Sequence, residues 1–163
     1  MIRRRFRAPV RSSGDGFVVD LGDDEAMLVR RLIGELRALL TDPDPGDAAQ
    51  LLLHRLFPIA HPDDPEAEAE YQRLMREELV ASKLAAFDAV DATLVGDGRL
   101  DEAGLVAFMQ SVNSLRLALG SMLGVTDDPD LEVDREQEDS AEYHLYGYLS
   151  WLLEWSVRAI QSG

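Results

Sequence analysis

PEAEAEYQRLMREELVASKLAAFDAVDATLV, residues 65–95, is the stretch on which the fold turns. Tyr71, Leu74, Met75, Leu79, Val80, Leu84, Phe87, Val90 and Leu94 keep helical spacing throughout it. Pro65 suits the first helical turn, where its missing N–H costs nothing. The spacing predicts one helix over 65–95, about 45 Å long at 1.5 Å per residue. A helix of that length either bends or extends to meet a partner.

Downstream, Gly96-Asp97-Gly98 stops this helix and Asp101 is a good N-cap for the next. Leu105, Phe108, Val112, Leu115, Leu119 and Met122 follow a 3-4 seam, and Gly124 closes it. Residues 126–139 carry eight acids and one base and are expected to form an acidic, flexible loop. A last helix is expected over about 140–160. It is apolar nearly all round, with Leu145, Leu149, Leu152, Leu153 and Ile160 on one face and Tyr148, Trp151 and Trp155 on another. Either it is central in the bundle, or its aromatic face meets a partner.

Upstream, a short helix is expected over about 47–56, ended by Pro58. A helix over 24–40 carries the stripe Leu28, Leu32, Ile33, Leu36 and Leu40. Before it, Ile2, Phe6, Ala8 and Val10 alternate with Arg3, Arg5 and Arg7, and turn residues 12–16 precede Phe17, Val19 and Leu21. This predicts a β-hairpin over 1–21 with an arginine comb on one face. Everything after Asp23 reads as helix. The expected fold is mainly α: a bundle of four main helices plus one short one over 24–160, with the hairpin packed on it, in a single domain over 1–163.

The 163 residues carry a net charge of −15, and without the five arginines of residues 1–11 the remainder carries −20. Such a body repels phosphate backbones and anionic lipid at long range, and it suits solubility or basic partners. No apolar run approaches the ~18 residues of a membrane helix, and the basic start lacks the apolar run of a signal peptide. A cytoplasmic protein without membrane contact is the expectation.

Catalytic chemistry finds little material. There is no cysteine, and Lys83 is the one lysine. His54, His61 and His144 lack the i, i+4 spacing of a helical metal site. Aligning Gly98 with the invariant glycine of an EF-hand loop puts Thr93, Val95 and Gly104 where calcium needs oxygen ligands, and the match fails. Asp23-Asp24 and Asp63-Asp64 read as helix-capping acids. No glycine-rich phosphate loop or nucleophile elbow is present. No catalytic residue, metal site or cofactor is therefore assigned.

Two cations stand out. Lys83 lies one turn from both Leu79 and Phe87, and Arg116 lies between Val112 and Leu119. Charges beside a core are paired or reach outward to water. Each is expected to form a buried ion pair with a carboxylate of another helix; the alternative is an anion-binding pocket, or for Lys83 a lysine of lowered pKa.

Several segments resemble an actinobacterial family catalogued as a domain of unknown function, some of whose members are labelled oxidative-stress transcriptional regulators, AosR. The resemblance rests on Arg55-Leu56-Phe57-Pro58 with Ala60, Asp63-Asp64-Pro65-Glu66, Glu70-Tyr71, and Leu79 with Lys83-Leu84. It continues through Asn113, Leu115-Arg116-Leu117, Leu119-Gly120, Leu123-Gly124-Val125-Thr126 and the aromatic last helix. It covers nearly the whole chain, and none of these segments is a catalytic motif. It implies a regulatory role in stress or transcription control. The redox sensing attached to the label depends on cysteines, and a chain without any cannot form the disulfide.

The leading expectation is a non-enzymatic regulator or adaptor acting through an unidentified protein partner, with Tyr148, Trp151 and Trp155 as the candidate surface and a homodimer as one form of contact. A DNA-binding regulator using Arg3, Arg5 and Arg7 within residues 1–11 is the second reading, opposed by the acidic body. An enzyme of unknown chemistry is the third.

Overall fold

The computed structural model describes residues 6–42, 44, 46, 53–123 and 140–162. Two short strands come first, β1 (Val10–Ser13) and β2 (Gly16–Val19), antiparallel with Val10 opposite Val19 and Ser13 opposite Gly16. Gly14, at φ +59°, takes the first central position of the two-residue turn, the left-handed conformation a type II′ hairpin requires. Pairing begins later than the alternation of side chains predicts. Pro9 has no N–H to give a ladder, and residues 6–8 are irregular. The hairpin also gains a partner: β3 (Arg99–Leu100) pairs antiparallel with β2 and makes the sheet three-stranded in the order β1-β2-β3. The expectation that everything beyond Asp23 is helical is corrected here. A two-residue strand has no periodicity to read.

Four long helices follow the hairpin: α1 (Asp23–Thr41), α2 (Pro65–Val95), α3 (Glu102–Leu123) and α4 (Ala141–Ser162). A short helical turn covers 53–56. The arrangement is the mainly helical bundle with an N-terminal β element that the sequence predicts. Asp64 Oδ1 accepts from Ala67 N at 3.1 Å and Asp101 Oδ1 from Gly104 N at 2.8 Å, so both expected caps form. Ser140 Oγ does the same for Tyr143 N at 3.1 Å. Asp23 and Asp24 are different. Gly22 holds the N-cap position without a side-chain bond, and these acids lie in the first turn, where they act only through the helix dipole.

The core forms around α3, which packs against both α2 and α4. Its seam of Leu105, Phe108, Val112, Leu115 and Leu119 is buried as spaced. α1 contributes Val29, Ile33 and Leu36, α2 contributes Phe87 and Val90, and α4 contributes Leu149, Leu152 and Ala159. Val10, Phe17 and Val19 complete the core from the sheet, with β1 resting on α4. Arg30 and Arg37 of α1 reach Asp91 and Asp88 of α2, each at 2.7 Å, as exposed ion pairs worth about 0–1 kcal/mol apiece. The acidic stretch 126–139 lies outside the described residues.

Candidate functional site

The first half of α2 runs beyond the core, and Leu74 on it is 62% exposed. Where α2 meets α3, a cleft of about 400 Å³ opens between the two helices and the segment 55–58. Its α2 wall carries Tyr71, Leu79, Ser82, Lys83, Ala86 and Phe87; its α3 wall carries Gln110, Ser111, Asn113, Ser114 and Leu117. Lys83 reaches across, and its Nζ donates to Ser114 Oγ at 3.2 Å. The Phe57 ring, itself buried, lies 5.6 Å from Lys83 Nζ and 4.5 Å from the Arg76 guanidinium carbon, within cation–π range of both.

A chain of hydrogen bonds holds Phe57 over this cleft. Arg76 donates to Gln72 Oε1 at 3.3 Å, and Gln72 Nε2 donates to Glu68 Oε1 at 2.7 Å. The second Glu68 oxygen accepts the backbone N–H groups of Ala60 and His61 at 3.0 and 2.7 Å. The bond from Gln72, joined by those from the His61 and Ala60 backbone, holds the Glu68 carboxyl below its ordinary range. The His61 ring stands edge-on to Tyr71 at 5.9 Å.

The cleft is unusual in charge. None of its lining residues among those described is acidic. Burial pushes the Lys83 ammonium below the ordinary lysine value. Ser111 is 1% exposed, and its Oγ has no hydrogen-bond partner among the described residues. Asn113 accepts from Arg116 Nη2 at 3.0 Å, which leaves its amide NH2 as its remaining side-chain donor.

The ion pairs expected for Lys83 and Arg116 are not found among the described residues. Lys83 takes a hydroxyl and an aromatic ring instead of a carboxylate. Arg116 turns to Asn113 on its own helix, with its Nε buried and unpartnered. The reason is geometric: the α3 residues opposite Lys83 are serine, asparagine and glutamine, and on α2 itself Asp88 and Asp91 pair with α1 arginines while Glu68 is taken up by Gln72 and the 60–61 backbone.

The remaining candidates lie elsewhere. Arg3 and Arg5 are outside the described residues, and Arg7 is exposed in the irregular segment before β1. Tyr148 donates from its hydroxyl to Glu25 Oε2 at 2.8 Å. Trp155 is half-buried against the core, with the Phe6 ring at 5.9 Å and the Arg158 guanidinium at 5.0 Å. Trp151 is 37% exposed, 5.9 Å from the Tyr148 ring. α4 is thus a flanking helix whose second face is half covered from within the chain. Among the described residues no group of three His, Asp or Glu side chains could hold a metal ion, and no helix is long and apolar enough to cross a membrane.

Ser111, Ser114, Phe57 and Glu68 are site residues that the sequence reading passed over. The serines carried a signal, two hydroxyls three residues apart inside an apolar helix. Phe57 entered only as part of the Arg55-Leu56-Phe57-Pro58 segment that carries the family resemblance, with no role assigned.

The profile of a family described as a domain of unknown function, DUF2017, matches residues 3–160. Proteins named "Oxidative stress regulator AosR" from Mycobacterium tuberculosis and Mycobacterium bovis are each 28% identical to this chain, over 96% of it and 87% of their own length. A Mycobacterium leprae protein bearing the same AosR designation is 26% identical over 98% of this chain and 89% of its own. No solved structure matches.

Proposed function

The chain belongs to the DUF2017 family, and on that premise we propose that it is a non-enzymatic regulator that works through protein–protein contacts in bacterial stress or transcription control. The observation that carries this reading is likeness along 96% of the chain to proteins named oxidative stress regulators. A likeness of that extent takes in both the bundle and the N-terminal sheet, and so favours a shared mode of action.

Protein contact is favoured over DNA contact by charge and by surface. The net charge of −15 opposes a phosphate backbone. The outer side of α4 offers Trp151 and Val157, and α1 offers Met27 and Leu28, all exposed and apolar. Aromatic and methionine side chains are enriched in protein interfaces. The partner is a protein of unidentified nature or a second copy of this chain.

The test compares a strain lacking this chain with its parent, before and after oxidant. A defined set of transcripts is expected to change and to be restored by the wild type but not by Trp151→Glu. Unchanged transcripts overturn the regulatory reading. Titration of a labelled DNA duplex at low salt is expected to show no binding. Binding with a log–log salt slope near about −3.6, as four neutralised phosphates would give, transfers the assignment to a DNA-binding regulator.

A further inference from the structure

We infer that the cleft between α2 and α3 is a binding site for a small organic monocarboxylate, whose acid group sits at Lys83 and Ser114 and whose apolar body lies along Phe57 and Phe87. This goes beyond the regulatory reading and stands independently of it. Three observations converge. The first is an ammonium group drawn partly out of water with a hydroxyl and a ring as its partners and no carboxylate among the described lining residues. Cations in such places are ordinarily matched by an anion, and here the described lining supplies none.

The second observation is the polar equipment around that ammonium. Ser114, the free amide of Asn113 and Gln110 face the same space. Ser111 lines it too, 1% exposed and with no partner for its hydroxyl among the described residues. A buried hydroxyl without a partner is rare enough in a folded protein to call for an account. A carboxylate accepts several donors at once, and a charge-assisted bond is roughly twice as strong as a neutral one.

The third is size and wall character. A cleft of about 400 Å³ lies in the range of small-molecule sites, which join mostly apolar walls to a few placed polar groups. Phe57, Phe87, Leu79 and Leu117 supply those walls. Charge then selects among anions. Of the other cations, Arg76 is already engaged with the Phe57 ring and Gln72, and Arg55, on the 55–58 wall, has a partner of its own. In a chain of net charge −15, long-range repulsion is twice as large for a dianion as for a monoanion. A single carboxylate with an apolar body gains contact with the walls that inorganic phosphate cannot make.

Lys83 is the one lysine of the chain, so lysine-labelled protein gives a single side-chain NMR signal to follow. Octanoate is the probe, with inorganic phosphate and octan-1-ol as comparisons. Octanoate is expected to shift the Lys83 signal saturably in the millimolar range, phosphate to leave it unmoved, and octan-1-ol to bind more weakly than octanoate. By calorimetry, Lys83→Met is expected to weaken octanoate binding about tenfold or more while leaving the helical circular dichroism intact. Ser114→Ala, which removes one donor and no charge, is expected to weaken it less. No saturable shift with octanoate, equal affinity for octan-1-ol, phosphate binding alone, or undiminished binding by Lys83→Met each overturns the assignment. Should Lys83→Met not fold, the wild-type titration and Ser114→Ala decide the matter.

Discussion

The Tyr148 hydroxyl donates to the Glu25 carboxylate at 2.8 Å, joining the last helix to the first turn of α1 across 123 positions of sequence. The bond is flanked one turn onward on each helix by Leu28 and Trp151, each 37% exposed. Burial, and then Glu25, pushes the Tyr148 phenol above the ordinary tyrosine value. Tyr148→Phe is expected to lower stability by about 1 kcal/mol or less, since the bond is solvent-exposed. The sign of its pH dependence follows from the raised value. The unfolded tyrosine ionises near 10.0 while the folded one keeps its proton. The contribution is therefore complete below pH 10 and is lost as pH rises through the folded value. Urea unfolding of both proteins from pH 7 upward checks this: the variant's curve should fall less steeply at the alkaline end.

Lys83 titrates with the opposite sense. Its folded value lies below 10.5 because of burial. Between the folded value and 10.5 the unfolded chain binds more protons, so stability rises with pH there. At neutral pH the buried charge is a cost. Lys83→Met removes that titration, so the variant is expected to be the more stable at pH 7. Its advantage should shrink as pH approaches 10.5, read as the difference between the two urea midpoints.

Gly98 and Gly34 make a matched pair. Gly98 has φ +78°, and a Cβ there would collide with the Val19 carbonyl oxygen. Gly34, inside α1, has open space where a Cβ would go. Gly98→Ala is expected to destabilise by more than about 1 kcal/mol, and Gly34→Ala to stabilise by about 0.5–1 kcal/mol. Thermal unfolding of the two variants should move in opposite directions.

The two tryptophans of α4 separate surface from core. Trp151→Glu is expected to leave the melting temperature nearly unchanged. Trp155→Glu, placing a carboxylate among core-packed side chains, is expected to cost about 2 kcal/mol or more. If a second copy covers the outer face of α4, light scattering at high micromolar concentration gives a dimer for the wild type and a monomer for Trp151→Glu. A wild-type monomer rules out self-association.

Helix bounds were open to sequence reading because their causes are local. α2 covers residues 65–95 as its spacing predicts, with Asp64 and Pro65 in their expected places. The α3 seam was legible because every third or fourth residue is apolar. β3 was not, since its pairing partner, Phe17 opposite Leu100, is 83 positions away. The partner of Lys83 was missed for a related reason. The residues near it in sequence showed that it lacked an acid on its own helix, but what α3 presents to it depends on how the two helices rotate against each other. Charge rules alone favoured a carboxylate, and packing placed Ser114 there.

Placing β1 on α4 and β2 on β3 has a consequence for synthesis on the ribosome. Residues 10–19 emerge early, yet the segments that cover Val10, Phe17 and Val19 are translated much later. At roughly 5–20 residues per second, the hairpin waits for seconds before α4 exists. A lone two-stranded hairpin is at best marginally stable in water, so through that interval it has no lasting shelter for its apolar face. The ribbon closes as a latch on helices already made. A nascent chain stalled before α4 should therefore display those three side chains to chaperones, whereas the finished protein hides them.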